Sequence, residues 1–261
     1  MRFATWNVNS LKARLPRVEE FLGYADVDVL CIQETKVSDK SFPALTFSAL
    51  GYETVHHGQG QWNGVAVLSR LGIKAADHGF GDAYDDPYVG DARLLVVETG
   101  GINFVSVYVP NGRMVGTEHY DRKLAWLETL RVWLGARFEE SDPVVVLGDF
   151  NVAPADIDVW DPAAFVGATH VTEPERAAVR ALEHWGLTDV FRRCYDGVGG
   201  LFTYWDYRAG DFHQHRGMRI DLALATRPVA ERVGWSVVDR NARKGTQPSD
   251  HAPLIVDLQD A

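Results

Sequence analysis

The sequence predicts an α/β protein, a four-layer α/β sandwich in which two packed, mostly antiparallel sheets are flanked by helices. Short apolar runs rich in β-branched residues recur along the chain and predict buried strands, whereas segments with helical periodicity are fewer. The strands lack the regular alternation with helices that marks a doubly wound parallel sheet, which favours two packed sheets. No long Gly/Ser-rich or Pro-rich linker divides the 261 residues, so we expect one domain over residues 1–261.

The predicted strands begin at the N-terminus and recur to the end of the chain. They cover residues 2–6, 27–32, 64–68, 94–98, 103–109, 144–147, 220–225 and 254–258. The predicted helices cover residues 15–24, 118–138 and 174–185, and Pro16 suits the first turn of the first helix. In the second helix an apolar stripe at helical spacing is accounted for by core packing, so we assign it no chemistry.

The composition is that of an ordinary globular protein. Hydrophobic residues make up 46% and charged residues 24% of the chain, enough to bury a substantial core, which argues against long disordered stretches. We expect neither a signal peptide nor a membrane-spanning helix, because no segment has the required apolar run. Only Cys31 and Cys194 are present, which predicts no disulfide framework or thiolate metal site and favours a reducing cytoplasm.

The formal net charge of -10 restricts how the protein could meet nucleic acid. Binding to phosphates usually depends on Lys and Arg, so this charge argues against a protein that coats nucleic acid. A local basic rim is still compatible with it, and residues 239–244 with Arg208, Arg216 and Arg219 could supply one. Solvated surface charge is an equally good interpretation of each. Nothing in the charge pattern indicates an oligomer interface, so we expect a monomer.

Polar side chains stand where several predicted strands end. Asn7 closes the first strand, and Glu34 follows the second. A carboxylate just beyond a buried strand is well placed to face a cleft, and oxygen donors are the ligands that Mg²⁺ prefers. A solvated Glu at a strand end is the alternative. The chain lacks the GxSxG, HExxH and Walker A motifs, which weakens acyl-transfer and nucleotide-binding interpretations.

The segment LGDFN gives a stronger indication of chemistry. Asp149 and Asn151 follow an aliphatic strand, and their i, i+2 spacing places both on one side of an extended chain. Asp149 could draw a proton from an attacking water while Asn151 holds the phosphate. A turn closed by the Asp side chain is the structural alternative.

Two further segments complete the set. Tyr108, Asn111 and Arg113 follow a strand and could together hold a phosphate, although Pro-Asn-Gly is also ordinary turn sequence. His251 can act as an acid, a base or a phosphate-binding cation near neutral pH, and Asp221 could fix its tautomer. Adjacent side chains on an extended chain point to opposite faces, so Asp250 should serve a different partner. Together these residues predict a metal-assisted phosphodiester hydrolase.

Eight motifs, in this order, resemble the exonuclease III family of the endonuclease/exonuclease/phosphatase superfamily. They are WNVNSLKAR, QETK, WNGVAVLS, YVPNGR, LGDFN, FTYWDY, GMRIDLAL and QPSDHAP, and they cover almost the whole chain. The GDFN and SDH elements are shared with pancreatic deoxyribonuclease, sphingomyelinases and inositol phosphatases. WNVNSLKAR, QETK, FTYWDY and RIDLAL separate this branch from them.

The resemblance implies a metal-dependent enzyme of DNA repair and a role for each matching residue. Asn7 and Glu34 would lie at Mg²⁺ or Mn²⁺, with Asp250 a further ligand, and Asp149 would activate the water beside Asn151. The remaining roles concern the DNA. Contacts to the scissile phosphate or its backbone would come from Tyr108, Asn111, His251, Lys36 and Arg113, Asp221 would pair with His251, and Tyr204 and Met218 would line a pocket for a flipped-out baseless sugar.

The sequence leaves the principal activity open. Abasic-site incision, 3'-phosphatase and 3'-to-5' exonuclease action on duplex DNA are all compatible with the motifs, and residues 165–175 lie where relatives differ. Two alternatives also stand. The same scaffold could serve a phosphoesterase for RNA, lipid or small phosphates, or the chain could be a catalytically silent DNA-binding module, although such a module need not keep the acids and the histidine.

Overall fold

Two six-stranded sheets form the centre of the computed structural model, which describes residues 1–259 of the chain. The strands are β1 (Arg2–Asn7), β2 (Val29–Gln33), β3 (Glu53–His57), β4 (Val65–Ser69), β5 (Ile73–His78), β6 (Leu94–Thr99), β7 (Ile102–Tyr108), β8 (Val144–Asp149), β9 (Leu187–Asp189), β10 (Asp221–Thr226), β11 (Val233–Val238) and β12 (Leu254–Leu258). Their order is β11-β12-β1-β2-β4-β3 in the first sheet and β5-β6-β7-β8-β10-β9 in the second. In each sheet one central pair, β1 with β2 and β7 with β8, is parallel, and the other pairs are antiparallel.

The helices are α1 (Leu11–Ala25), α2 (Ala44–Ala49), α3 (Glu118–Arg137), α4 (Glu173–His184), α5 (Val190–Cys194), α6 (Asp211–Gln214) and α7 (Arg227–Ala230). The first four cover the outer faces of the sheets, whereas α5 and α7 contribute side chains to the cluster between the sheets. Trp6 and Phe21 belong to the cluster between the first sheet and α1, whereas Trp126 and Leu130 pack α3 on the second sheet. A third cluster, with Phe3 against Phe104 at a ring distance of 5.4 Å, fills the space between the sheets. The four-layer sandwich predicted from the sequence is confirmed. Within residues 1–259, no helix has the length and apolar character to cross a membrane.

The predicted strands match observed strands within a few residues, but four strands were missed. These are β3, β5, β9 and β11, which are the edge strands of the two sheets. Three of them are largely exposed or half-buried, so their sequences lack the continuous apolar run of a central strand. β9 has only three residues.

The prediction for the first helix was wrong at its start. The helix begins at Leu11 rather than at residue 15, and Pro16 lies inside it rather than in its first turn. The backbone amides of Ser10 and Leu11 donate to the carbonyls of Glu34 and Thr35 at 2.8 and 2.9 Å. The backbone amides of Ser10 and Leu11, at the start of the helix, are therefore paired with the loop after β2. This contact is remote in sequence, so no local capping pattern indicates it.

The central parallel strands bring polar side chains to one end of the sandwich. Asn7 lies at the carboxyl end of β1, and Tyr108 and Asp149 are register partners at the ends of β7 and β8. β10 runs antiparallel to β8, and its first residue, Asp221, pairs with Asp149. Glu34 directly follows β2. Strand ends from both sheets thus meet at one edge, where the candidate site lies.

Candidate active site

Asp149 lies at the centre of a buried polar cluster formed by both sheets. Only 2% of its surface is exposed. The side-chain amide of Asn7 donates from Nδ2 to Asp149 Oδ2 at 2.9 Å and to Glu34 Oε1 at 2.8 Å. Asn7 therefore bridges a carboxylate of the second sheet and one that follows β2 in the first.

His251 and Asp221 form a buried pair beside Asp149. His251 Nδ1 is 2.8 Å from Asp221 Oδ2, and His251 Nε2 is 3.9 Å from Asp149 Oδ2. Trp6 Nε1 donates to the His251 carbonyl at 3.1 Å, and Thr203 Oγ1 accepts from the amide of Asp221 at 3.1 Å. The dyad is thereby fixed from both sides by groups of other elements.

The charges in this cluster perturb the acid–base properties of its members. Burial alone would lower the pKa of His251, but the charge and hydrogen bond of Asp221, aided by Asp149, raise it to about 10. Burial raises the pKa of Asp149 to about 7, and the carboxylates of Asp221 and Glu34 add to the rise, whereas His251 and Asn7 oppose it. At neutral pH the imidazole is therefore charged, and Asp149 is poised near its titration point.

Asn151 and Asn111 reach the cluster from two loops. The Asn151 amide donates from its backbone to Asp149 Oδ1 at 2.8 Å, which is the turn considered from the sequence. Its Nδ2 donates to the Val109 carbonyl at 2.9 Å and to Asp149 Oδ2 at 3.2 Å. Asn151 Oδ1 accepts from Asn111 Nδ2 at 3.1 Å. The turn and the contact with Asp149 coexist, so they do not exclude each other.

Tyr108 stands on the other side of Asp149. Burial raises the pKa of its phenol well above the ordinary value, and the carboxylates of Glu34 and Asp149 raise it further. The Arg93 guanidinium lies 4.8 Å from the centre of the Tyr108 ring. The phenol therefore keeps its proton and can donate a hydrogen bond at neutral pH.

The Glu34 carboxylate and the side-chain oxygen of Asn7 are the candidate metal ligands. Among the described residues 1–259, no group of three or more His, Cys, Asp or Glu side chains is arranged to hold an ion. A metal here would therefore need amide oxygens or water besides the Glu34 carboxylate. The donor set fits a hard cation such as Mg²⁺, because the like charges that raise the pKa of Asp149 would be relieved by positive charge.

Asp250 and Lys36 are linked to Glu34 by a chain of polar contacts. Lys36 Nζ lies 2.7 Å from Glu34 Oε2 and donates to Asn9 Oδ1 at 2.5 Å. Asn9 Nδ2 in turn donates to Asp250 Oδ1 at 3.1 Å. Asp250 and His251 thus have different partners. Asn9 stands between Asp250 and the Lys36–Glu34 pair, a link that the sequence did not indicate.

A pocket beside the dyad is lined by aromatic and apolar side chains together with the carboxylates of Asp206 and Asp211. The Tyr204 ring lies 5.0 Å from that of His251, and Tyr204 pairs with Met218 across an antiparallel bridge. Trp160 and Phe165 also line this pocket, as does Arg216, whose guanidinium lies 5.3 Å from the Trp160 ring. Met218 lines the pocket and is itself buried.

A second depression opens on the side of Tyr108 and Asn111. Arg113 lines it together with Trp62, Tyr88, Arg93 and His119. Trp62 is 65% exposed, and Arg113 is exposed as well. The side chains of Trp62 and Arg113 are therefore accessible to a ligand that extends beyond the central cluster.

The expected basic rim is only partly present. The prediction that Arg219 could belong to a basic surface rim was wrong. Arg219 is 1% exposed and pairs with Asp158 and Asp189 at 2.6 and 2.7 Å. Arg243, within residues 239–244, is also buried. Arg219 can be buried because Asp158 and Asp189 compensate its charge and its guanidinium lies 5.6 Å from the centre of the Phe191 ring.

Several supporting residues were missed. Lys123 was treated as part of a helix without chemistry, yet its buried ammonium donates to the Asn151 carbonyl at 2.7 Å. Its partner is Glu175, at 2.5 Å. His170 Nδ1 also lies 2.5 Å from the Asn151 carbonyl. A lysine within an otherwise apolar helix face was the one available signal.

The chain is similar to nucleases and phosphatases over its full length. Residues 4–251 match the model of the Endonuclease/Exonuclease/phosphatase family. The chain is 31% identical to Exodeoxyribonuclease III from Haemophilus influenzae, over 99% of this chain and 100% of that protein. Among solved structures, an AP endonuclease from Archaeoglobus fulgidus superposes with a TM-score of 0.94 at 34% identity, covering 100% of both chains. A variant of the 3' phosphatase NExo from Neisseria, bound to a product DNA hairpin, has a TM-score of 0.94 at 32% identity, again over 100% of both chains.

Proposed function

The chain belongs to the endonuclease/exonuclease/phosphatase family, and from this membership we propose that it is a divalent-metal-dependent phosphodiesterase of DNA repair. Its substrates are duplex DNA with abasic sites, damaged 3' ends or terminal 3' phosphates. The named activities of an AP endonuclease and of a 3' phosphatase at 34% and 32% identity support this substrate class. The observation that carries the chemistry is Asp149, held with a raised pKa between Asn7, Asn151 and the His251–Asp221 dyad.

Asp149 is the group that activates water in this proposal. Its pKa of about 7 lets it be ionised in a large fraction of molecules at neutral pH and still be basic enough to accept a proton. Asn7 and Asn151 donate to the same oxygen, Oδ2, and so fix the orientation of the carboxylate. The attacking water is positioned by Asp149 in line with the phosphorus–oxygen bond that breaks.

The phosphate is bound by donors that surround this carboxylate. His251 is an imidazolium whose Nδ1 donates to Asp221, which leaves Nε2–H for a phosphate oxygen. The phenol of Tyr108 and the side-chain amide of Asn111 supply neutral donors. Asn151 donates to Val109 and Asp149 and accepts from Asn111, so it orients these groups. Preorganised donors aimed at a phosphoryl group stabilise the charge that develops on it in the transition state.

Glu34 and Asn7 are the residues that would hold Mg²⁺, or Mn²⁺ in its place. When bound, the ion neutralises charge on the phosphate and on the leaving 3' oxygen. The Lys36 ammonium beside Glu34 supplies part of the positive charge in this region and is a candidate contact to the DNA backbone. Asp250 supports the Asn9 side chain and is a candidate for an indirect, water-mediated contact with the ion.

The remaining residues select and orient the DNA. Tyr204 and Met218, with Trp160 and Phe165, line a pocket of the right character for an extruded baseless sugar. Arg113, on the opposite side, is placed to contact the backbone. The proposed enzyme acts as a monomer with a single catalytic domain, residues 1–261, and its two free cysteines fit a reducing cytoplasm.

The decisive experiment compares substrates under controlled metal. Duplexes carrying a tetrahydrofuran abasic analogue, a 3' phosphate or a recessed 3' end are incubated beside single-stranded RNA and a phosphoinositide, in Mg²⁺, Mn²⁺ or EDTA. We expect cleavage of at least one damaged DNA substrate, loss of turnover in EDTA, and a fall of at least about 1000-fold for Asp149→Asn. Preference for RNA or the phosphoinositide would contradict the substrate class, and full activity in EDTA would contradict the metal. Binding of the duplex without cleavage in either metal would indicate a silent module.

A further inference from the structure

Lys123 of α3 lies directly beneath the two asparagine loops of the candidate site. Its side chain is 0% exposed, and Nζ donates to the carbonyls of Asn151 at 2.7 Å and Asn111 at 3.3 Å. Its counter-charge is Glu175 of α4, at 2.5 Å, which is also 0% exposed. An apolar pair could fill such a space without the loss of hydration that buried charges suffer. A requirement for the two carbonyl contacts explains why an ammonium stands here.

The backbone of Asn151 shows what these contacts accomplish. Asn151 has a φ of 51°, in the left-handed region that residues other than glycine rarely adopt. Its carbonyl is held inward by Lys123 Nζ and by His170 Nδ1, at 2.7 and 2.5 Å. Since a carbonyl only accepts, His170 carries its proton on Nδ1. With the carbonyl turned inward, the side chain of Asn151 is directed to Asp149 and Asn111.

The second loop rests on the stem of the same lysine. Gly112 has a φ of 81°, and a Cβ there would lie 2.8 Å from Lys123 Cδ and 3.1 Å from Thr169 Oγ1. Thr169 Oγ1 also lies 3.2 Å from the Asn111 carbonyl and 2.7 Å from Glu175 Oε1, and its single proton can be donated to either oxygen. The position of Asn111 relative to α3 is therefore determined by the contacts of its loop with Lys123 and Thr169.

We infer that Lys123 is a positioning residue: its ammonium holds the carbonyls of Asn111 and Asn151 so that the Asn111 amide faces the scissile phosphate and the Asn151 amide orients Asp149. This inference rests on the proposed function, in which Asn111 contacts that phosphate and Asp149 activates the water. Glu175 supplies the counter-charge and, unlike Lys123, makes no contact with either asparagine in the hydrogen bonds of residues 1–259.

The test distinguishes the effect of the Lys123 contacts with the Asn111 and Asn151 carbonyls from the effect of the buried Lys123–Glu175 pair on stability. Lys123→Met alone would leave the Glu175 carboxylate buried without its cation, so the informative variant is K123M/E175Q, which removes both charges and keeps similar volumes. The matched control is E175Q, which weakens the pair but leaves the lysine on the two carbonyls. We expect kcat to fall by about 100-fold in K123M/E175Q with KM within about 3-fold of wild type, because a displaced donor affects the chemical step. E175Q should keep kcat within about 5-fold of wild type.

Side-chain amide spectra give a readout that does not depend on turnover. The ¹⁵N–¹H signals of Asn111 and Asn151 should shift or broaden in K123M/E175Q and stay near their wild-type positions in E175Q. If K123M/E175Q is unfolded by circular dichroism, K123Q/E175Q replaces it, with a smaller fall in kcat because the amide can donate to one carbonyl. Equal kcat values in the double variant and E175Q, or unchanged asparagine signals, would overturn the inference. Should wild type cleave none of the DNA substrates, the proposed function fails, and the spectra alone decide the role of Lys123.

Discussion

The carboxylates of Asp149, Asp221 and Glu34 outnumber the cations beside them, which are the His251 imidazolium and the Lys36 ammonium. Protonation of Asp149 or a further cation reduces this excess of negative charge. Burial makes the largest contribution to the raised pKa of Asp149. The carboxylates of Asp221 and Glu34 raise it further, whereas His251 lowers it. The same interactions make His251 a stable cation. Each group therefore depends on the others for its protonation state, and a change of one charge should be visible in the pH profile.

Asp221→Asn tests this dependence. An Asn side chain preserves the shape and can still accept from His251 Nδ1, but it removes the charge that chiefly raises the pKa of His251. The folded-state pKa of His251 should fall, so the imidazolium is lost at lower pH and the alkaline limb of kcat/KM moves to lower pH. We expect kcat/KM at pH 7.5 to fall by about 100-fold.

The matched control for that change is Asp189→Asn, which alters a buried carboxylate that pairs with Arg219 away from His251. Its pH profile should keep the wild-type alkaline limb even if the protein is less stable. An alkaline limb that stays in place in Asp221→Asn would show that the charge of His251 does not control the reaction.

Single elements owe their positions to contacts with distant loops. Glu34, Lys36 and Asn151 all adopt a positive φ directly after a central strand. A positive φ costs such residues roughly 1–3 kcal/mol each in backbone strain. Residues with this strain cluster at functional sites, where the surrounding contacts hold the backbone in place. The loops after β2 and β8 therefore turn sharply and present side chains at the strand ends instead of continuing outward.

The start of α4 offers a test at this level. Thr172 accepts from the amide of Glu175, while Glu175 Oε2 accepts from the amide and hydroxyl of Thr172. Thr172→Ala removes this reciprocal cap and should lower the free energy of unfolding by about 1 kcal/mol. Urea unfolding at pH 7 measures the change, and Thr172→Ser, which keeps the hydroxyl, should lie within about 0.5 kcal/mol of wild type. Equal losses in both variants would attribute the effect to the lost methyl group instead.

The strand elements that escaped prediction share one physical feature. Central strands such as β8 are buried along their whole length and are therefore visible as aliphatic runs. Edge strands such as β5 are largely exposed and pair on one side only, so their sequences are free to be polar. The local sequence pattern therefore predicts the central strands of each sheet but not its edge strands.

At the scale of the whole molecule, two similar sheets place their parallel central pairs so that the carboxyl ends coincide. This explains how Asn7 of one sheet can donate to Asp149 of the other, 142 residues away along the chain. The overall charge of -10 does not favour DNA binding, and some cations are also committed to internal pairs, among them Arg219 and Arg192 with Asp158. Those cations are not available to the phosphates of DNA.

That distribution of charge predicts a weak salt dependence of DNA binding. With Asp149→Asn to prevent cleavage, the slope of log Kobs against log[KCl] should be shallower than about -5, which corresponds to fewer than about six phosphate contacts. Fluorescence anisotropy with an abasic duplex between 50 and 300 mM KCl measures it. Arg113→Gln should reduce the slope by about 1, while Arg227→Gln, at an exposed i, i+4 pair with Glu231, should leave it unchanged. A slope steeper than that bound would reveal a basic surface larger than the free cations suggest.

The sequence by itself determined the sandwich, its central strands and the residue types gathered at their ends, because buried strands and the polar residues that close them follow local rules of burial and periodicity. Only the tertiary structure decided which of these residues touch, since the Asn7–Asp149 and His251–Asp221 contacts join segments remote along the chain. It also decided that Arg219 is a buried partner of Asp158 and that Lys123 supports the loops of Asn111 and Asn151. A charged side chain is buried only where distant groups compensate it, and no local pattern records the positions of those groups.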